Sequence, residues 1–402
     1  MSVYGVVGLL VSLASLVASQ DEGVGCLREW TSTDALLIID VQNDFLPTRP
    51  LLTPFPVQPI PTEALTPDDQ IAGGSLAVVN GSDILPSLIR FIEDLTPHAH
   101  IFASLDWHPN DSCSFCSTGA MCADYGAGLC GLSGLSEACP LSMATRCVDP
   151  VSVADYLANT YTQWPAHCRE GTWGAQFDPF LPIPANATVV KKGFMQHNDS
   201  YSAFGGRLSV SPAPFDTGND SAEDLLGRPD LKTLLESMGI TRLFVSGIAV
   251  DFCVKNTILD ALGANVDGLS TQPTSLTKPF SVALLLAAAT GVNADTSLQA
   301  IETVANAGAV VIGAEHNTAL AAINAYCDFV EARLAAEEEE PECTDNCNDY
   351  QEVIGVCVCI FALTLIGRYY VDWRSVELGA DGSIQMFDRR SSKEEQLDAA
   401  PF

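Results

Sequence analysis

The chain has 402 residues, 47% of them hydrophobic, and a formal charge of −31 from 50 acidic and 19 basic residues. That length buries a full α/β core, and the composition is that of a folded chain rather than a disordered one. So acidic a surface, with no Lys/Arg stripe, excludes nucleic acid as a partner and suits a neutral substrate or a cation.

Residues 3–17 are almost wholly apolar, and Val17-Ala18-Ser19 supplies the small residues that a signal peptidase requires, which predicts a signal peptide over 1–19. Residues 35–41 (ALLIIDV) form an apolar run short enough for a buried parallel strand, with Asp40 near its end. A Pro-rich loop follows over 47–67. Ser82 is placed to cap a helix whose apolar positions Ile84, Leu88, Ile89 and Ile92 recur at helical spacing. A second strand over 101–105 ends at Asp106. Six cysteines (Cys113, Cys116, Cys122, Cys130, Cys139, Cys147) crowd the stretch 113–149, which reads as a disulfide-stapled insertion in an oxidising compartment. A zinc knuckle at Cys113-x-x-Cys116 competes with that reading, but no second paired spacing follows.

A short third strand over 188–190 leads into Lys191-Lys192-Gly193. Beyond it the pattern predicts a helix over 231–238, a strand over 243–248, and a helix over 251–262 with Cys253 in its first turn. A strand over 282–288, a helix over 296–307, a strand over 309–312 and a closing helix over 316–335 complete the alternation. The predicted fold is three-layer α/β/α around a six-stranded, mainly parallel sheet, occupying 20–336. After it come an acidic stalk over 337–352, an apolar stretch over 353–371 and a tail over 372–402 that carries Arg374, Arg389, Arg390 and Lys393. Basic residues after the apolar stretch and acidic ones before it predict a single C-terminal transmembrane helix with the tail in the cytosol, a type I arrangement. The five N-x-S/T sequons (Asn80, Asn110, Asn186, Asn198, Asn219) all precede it.

Asp40, Asp106, Lys192 and the turn before Cys253 all fall at the carboxyl ends of predicted strands, the edge where open parallel sheets assemble their sites. Cys253, at a helix N-terminus, is placed to have its thiol pKa lowered and to act as a nucleophile. A core cysteine or half of a disulfide is the bland alternative. Asp40 can take the thiol proton and return it to a leaving amine, and Lys192 can stabilise both anions, whereas Lys191 reads as a surface lysine. Asp106-x-His108 puts a carboxylate and an imidazole on one face of an extended segment, and His167 can add a third ligand, leaving positions open as in a catalytic metal site.

The segments ALLIIDVQNDFLP, LDWHP, WPAHCREGTWGAQF, VVKKGF with DSYSAF, VSGIAVDFCVKNT and TGVNADTSLQAIETVANAGAVVI run in order across 35–335. Together they resemble the nicotinamidases of the isochorismatase-like cysteine hydrolase superfamily. The resemblance implies catalysis by Asp40, Lys192 and Cys253, and a metal held by Asp106, His108 and His167. The ion would be one divalent cation, zinc ahead of iron or manganese. It also implies a pyridine ring held between Phe45 and Trp164, a cis peptide between Ile248 and Ala249, and an oxyanion hole formed by the N–H groups of Ala249 and Cys253. The implied substrate is nicotinamide. Hydrolysis of another small amide or a vinyl ether, or a non-catalytic surface module on the same fold, are the alternatives. Ser112 stands where many nicotinamidases carry a further histidine, and the cysteine-rich insertion has no family counterpart. Setting Cys168 and Cys253 aside as free thiols leaves ten cysteines ahead of the apolar stretch, enough for five disulfides.

Overall fold

The apolar runs become strands. In the computed structural model, which describes residues 26–51, 60–96, 99–112, 114–115, 164–195, 199–210, 220–264, 279–338, 376–378 and 384–386, β1 (Asp34–Ile39) is buried along its whole length. Helix α1 (Leu85–Leu95) and β2 (His100–Asp106) follow, then β3 (Thr188–Lys192) and β4 (Arg207–Leu208). Two short helices, α2 (Ala222–Leu226) and α3 (Leu231–Ser237), precede β5 (Arg242–Ile248). A π-helical turn (Val250–Val254) runs into α4 (Lys255–Ala261). The chain continues through β6 (Ser281–Thr290), α5 (Ala294–Asn306), β7 (Val310–Ile312) and α6 (Ala319–Glu338). A separate pair of short strands, β8 (Val376–Leu378) and β9 (Ile384–Met386), is antiparallel.

The main sheet has the order β4-β3-β2-β1-β5-β6-β7, and every neighbouring pair is parallel except β3–β4. It therefore has seven strands rather than the predicted six. The added edge strand β4 has two residues, too few for a period-2 pattern to register. Alternation along β1 sends Leu36 and Ile38 against Leu88, Phe91 and Ile92 of α1 and Ile323 of α6. Leu37 and Ile39 meet Leu231 and Leu235 of α3, Ile258 of α4, and Ile301 and Val304 of α5. Strand order moves outward from β1 on both sides, so a crevice opens at the carboxyl ends of β1 and β5, the switch point where such sheets bind ligands. Gly247 permits this junction: a Cβ there would meet Ile39 O at 2.1 Å.

Several boundaries differ from expectation. Residues 81–84 form a 3-10 turn headed by Asn80, and α1 begins only at Leu85, so Ser82 caps nothing. The segment from 250 starts as a π-turn rather than an α-helix. The closing helix starts at Ala319, with Thr318 Oγ1 accepting from Ala321 N at 3.2 Å, and runs to Glu338, so the first two residues of the predicted stalk are helical. No helix among the described residues is long and apolar enough to cross a membrane. The predicted signal peptide, the 353–371 stretch, the six insertion cysteines and the sequons Asn198 and Asn219 lie outside the described residues.

A disulfide joins Cys26 to Cys327, 301 residues apart. It fastens an N-terminal strap to α6, helped by Trp30 Nε1 donating to Ala319 O at 3.0 Å and by Arg28 Nη1 donating to Asp328 Oδ1 at 2.6 Å. Closing so long a loop restricts the unfolded chain and contributes about 2–4 kcal/mol. The paired variant Cys26→Ser/Cys327→Ser should therefore melt roughly 5–15 °C lower by calorimetry. An unchanged melting temperature would mean that the strap is held without the bridge.

Candidate active site

Three strand ends and one turn converge. Lys192, the last residue of β3, is fully buried, and its ammonium touches four groups. Nζ lies 2.9 Å from Asp40 Oδ2, 2.5 Å from Asp106 Oδ1, 3.1 Å from Ser200 O and 3.5 Å from Cys253 Sγ. Asp40, Lys192 and Cys253 are thus brought together as the sequence predicts, and Asp106 joins them.

Asp40 lies one residue beyond β1, at a left-handed φ of 49°. Strict alternation would send it to the Leu36–Ile38 face. The turn instead aims it at Ser104, whose Oγ donates to Asp40 Oδ1 at 2.6 Å. An aspartate tolerates this backbone better than most residues, and such a conformation is kept where the surroundings over-determine it. Asp40 Oδ2 is buried with the Lys192 ammonium 2.9 Å away, and a carboxylate oxygen has two lone pairs, so one can face that cation and the other can take a proton. Burial pushes the Asp40 pKa up, Lys192 opposes that and Asp106 adds to it, leaving it above the ordinary carboxylate value.

Cys253 sits in the π-turn, buried and unpaired. The expected lowering of its thiol pKa is reversed. Burial raises it most, Lys192 pulls the other way and the Asp40 and Asp106 carboxylates add to the rise, so the pKa lies well above the ordinary thiol value. Lys192 moves the same way: burial alone would lower it, but Asp106 and Asp40 raise it well above the usual lysine range. The Cys253 thiol therefore rests protonated, with the Lys192 ammonium fixed between it and Asp40.

Asp106 faces two ways. Its Oδ1 meets Lys192, while its Oδ2 lies 3.6 Å from His108 Nε2 and 3.7 Å from His167 Nε2. All three side chains are buried, and their ligand atoms lie within 4.8 Å of one another. His108 Nδ1 is 2.9 Å from Gly193 O and His167 Nδ1 is 2.8 Å from Pro165 O. Each carbonyl holds the proton on Nδ1 and turns the Nε2 lone pair inward, as ligating histidines require. His108 Nε2 is buried without a hydrogen-bond partner. Metal bonds of ~2.0–2.2 Å put neighbouring ligand atoms roughly 3–3.5 Å apart, so a cation fits with a small contraction. Burial lowers the His108 pKa, but the Asp199 and Asp106 carboxylates raise it to about 9, so a metal would have to displace a proton there. The same opposition holds at Asp106, where burial is outweighed by Lys192 and His108 and the pKa falls well below the ordinary value. Asp40, Asp106 and Cys253 also cluster within 4.8 Å, but the Lys192 ammonium already lies against all three.

The aromatic residues are partly as expected. The Phe45 ring centre is 5.4 Å from that of His167, and Trp164 packs edge-on at 5.0 Å against Phe252 while its Nε1 donates to Tyr201 Oη at 3.1 Å. Both rings are buried. Ser112 is buried in a turn, where its Oγ accepts from Ser114 N at 3.2 Å. The Ile248–Ala249 peptide is cis.

Sequence reasoning missed several supporting groups. Ser104 stands two residues before Asp106, so strand alternation alone puts it on the same face. Gln42 exchanges hydrogen bonds with the Asp106 backbone, donating to O at 2.8 Å and accepting from N at 2.9 Å. Asp44 Oδ2 accepts from Cys168 N at 2.7 Å and so ties down the loop beside His167. Phe115, inside the predicted insertion, is buried with its ring 5.2 Å from His108 and 5.5 Å from His167. Phe115 and Trp164 meet at a parallel bridge, so the chain on either side of 116–163 is pinned beside the cluster. Lys191 is not a surface lysine: it is fully buried on the opposite face of β3, 2.9 Å from Asp220 Oδ2.

A model of the isochorismatase domain matches residues 145–316, which include His167, Lys192 and Cys253. The nicotinamidase of Escherichia coli is 30% identical over 229 residues, 57% of this chain and 76% of the relative. The nicotinamidase/pyrazinamidase of Mycobacterium tuberculosis is 26% identical over 278 residues, 69% of this chain and 97% of the relative. Among solved structures, an Acinetobacter baumanii nicotinamidase and pyrazinamidase is 25% identical, with a TM-score of 0.45 over 71% of this chain and 99% of that one.

Proposed function

The chain belongs to the isochorismatase-like hydrolases that include the nicotinamidases, and on that premise we propose that it hydrolyses nicotinamide to nicotinate and ammonia. The observation that supports this best is the ammonium of Lys192, shared among a thiol, the Asp40 carboxyl group, and a second carboxylate that also faces two imidazoles. Because the thiol rests protonated, attack and deprotonation go together. Cys253 Sγ bonds to the amide carbon as its proton passes to Asp40 Oδ2. The N–H groups of Ala249 and Cys253 hold the oxygen that becomes anionic. Asp40 then gives the proton to the departing nitrogen, and ammonia leaves a thioester. A water, deprotonated by Asp40, breaks the thioester and restores the thiol as nicotinate departs. Lys192 keeps its proton throughout and offsets each negative charge in turn.

Asp106, His108 and His167 would hold a divalent cation, zinc by the chemistry of an oxygen and two nitrogens, and it would supply a Lewis-acidic anchor for a pyridine nitrogen. Phe45 and Trp164 would flank the ring with apolar faces. His167→Ala should weaken zinc binding at least about 10–100-fold and raise KM in parallel. Unchanged metal content in that variant would remove His167 from the ligand set. The reading as a whole is tested by ammonia release from nicotinamide by the purified full-length protein, against a panel of other carboxamides and with chelator. Zinc-loaded protein that releases no ammonia from nicotinamide would end it, and preference for another amide would redirect it within the family.

The Cys26–Cys327 bridge supports an oxidising location, and the apolar stretches over 3–17 and 353–371 support a type I arrangement with the hydrolase unit lumenal or extracellular. Protease protection of sealed membranes tests this: digestion from the cytosolic side should spare residues 26–338.

A further inference from the structure

Two consecutive lysines of β3 are both fully buried, and alternation sends them to opposite faces of the sheet. Lys192 belongs to the site. Lys191 does not touch it, yet burying an ammonium is expensive, and an apolar residue of similar volume would usually serve stability as well or better. Its surroundings suggest another role. Lys191 Nζ lies 2.9 Å from Asp220 Oδ2 and 3.7 Å from the centre of the Trp107 ring. Asp220 is satisfied separately as well, by Arg228 Nη1 at 2.5 Å and Ser209 Oγ at 2.9 Å.

Trp107 is the residue between Asp106 and His108, and it is fully buried. Its backbone N donates to Lys192 O at 2.9 Å, and the next backbone N, that of His108, donates to Cys168 O at 3.0 Å. The backbone is therefore held at Trp107 and at His108, while the Trp107 ring is held from the far face by a cation. A cation over an indole in a desolvated setting is among the stronger contacts an aromatic ring makes. A shift of the buried ring would press on the short segment that carries the Asp106 carboxylate and the His108 imidazole.

We propose that Lys191 is a positioning residue for the metal-ligand pair, acting through the face of Trp107. This rests on the metal reading given above. Lys191 sets the register of Asp106 and His108 from the opposite side of the sheet, and the ion pair with Asp220 holds the ammonium over the ring.

The test is zinc affinity of the full-length metal-free protein, by competition with a chromophoric chelator, with melting temperature measured in parallel. Lys191→Met, which keeps the stem and removes the charge, should weaken zinc binding about 10–100-fold, the usual effect of losing a group that orients a ligand. Lys191→Arg should restore most of that affinity. Trp107→Leu should weaken zinc similarly, and adding Lys191→Met to it should cost little more, because both remove one contact. Asp220→Asn, which loosens the ammonium without removing it, should weaken zinc binding in the same direction but by less than Lys191→Met. Zinc binding by Lys191→Met equal to wild type, or fully multiplicative losses in the double variant, would overturn the proposal. Should Lys191→Met fail to fold, Trp107→Phe and Trp107→Leu decide the matter: equal zinc affinity in those two overturns the role of the ring. Wild-type protein that binds no zinc removes the metal reading itself. Tight wild-type binding matched by Lys191→Met removes only the role of Lys191.

Discussion

Cys253→Ala should abolish ammonia release from nicotinamide, by at least about 10⁴-fold in kcat, while the protein remains folded. Loss of a covalent nucleophile removes the route rather than one contribution to it, and nucleophile deletions in hydrolases of this kind cost up to about 10⁶-fold. The fold should survive because Sγ is the longest of the contacts Lys192 makes, at 3.5 Å, and the ammonium keeps Asp40, Asp106 and the Ser200 carbonyl. Trapping provides the second readout: wild-type protein quenched during turnover should carry a thioester adduct by mass spectrometry, and the alanine variant should not. Turnover above about 1% of wild type in Cys253→Ala would exclude a thioester mechanism.

Lys192→Met should be lethal to both activity and stability, and the second effect is the more telling. The wild-type ammonium lies between two carboxylates that are otherwise shut away from water. Methionine fills the space but leaves Asp40 and Asp106 facing each other without a cation, which costs about 3–5 kcal/mol, as removal of one partner from a buried ion pair does. Melting should fall by roughly 10–15 °C in metal-free protein. Adding Asp40→Asn to Lys192→Met removes one of the stranded charges and should recover part of that loss without recovering activity. If Lys192→Met melts like wild type, the two carboxylates do not depend on the ammonium, and the electrostatic account of the site fails.

The site was more legible in the sequence than its supports. Asp40, Asp106 and Lys192 end apolar strands, and a charged residue at the end of a buried run is conspicuous because burial would otherwise exclude it. Ser104 inside IFASLD carries no such contrast: a small polar residue in a buried strand looks like filler until its partner 64 residues away is known. Lys191 is the same difficulty in a stronger form. Two adjacent lysines suggest a solvated edge, and only the position of Asp220, 29 residues along the chain, shows why Lys191 is buried as well as Lys192. Local spacing also could not reveal the thiol environment of Cys253. Proximity to a helix start argues for a lowered pKa, but the loss of water, with two carboxylates from distant strands adding to it, decides the sign. The α/β alternation was readable because helix and strand periods differ. The extra residue in the turn at 250–254 changes neither period and left no trace.

Cys26 and Cys327 join the two flanks of the folded unit close to the start of β5, at the end of the sheet away from the cluster around Lys192. Tension applied through the segments before Cys26 and after α6 would pass across one covalent crosslink and the second half of α6, bypassing the strand ladders. The sheet would carry no load, and the catalytic crevice would keep its shape even on a chain being pulled from both ends.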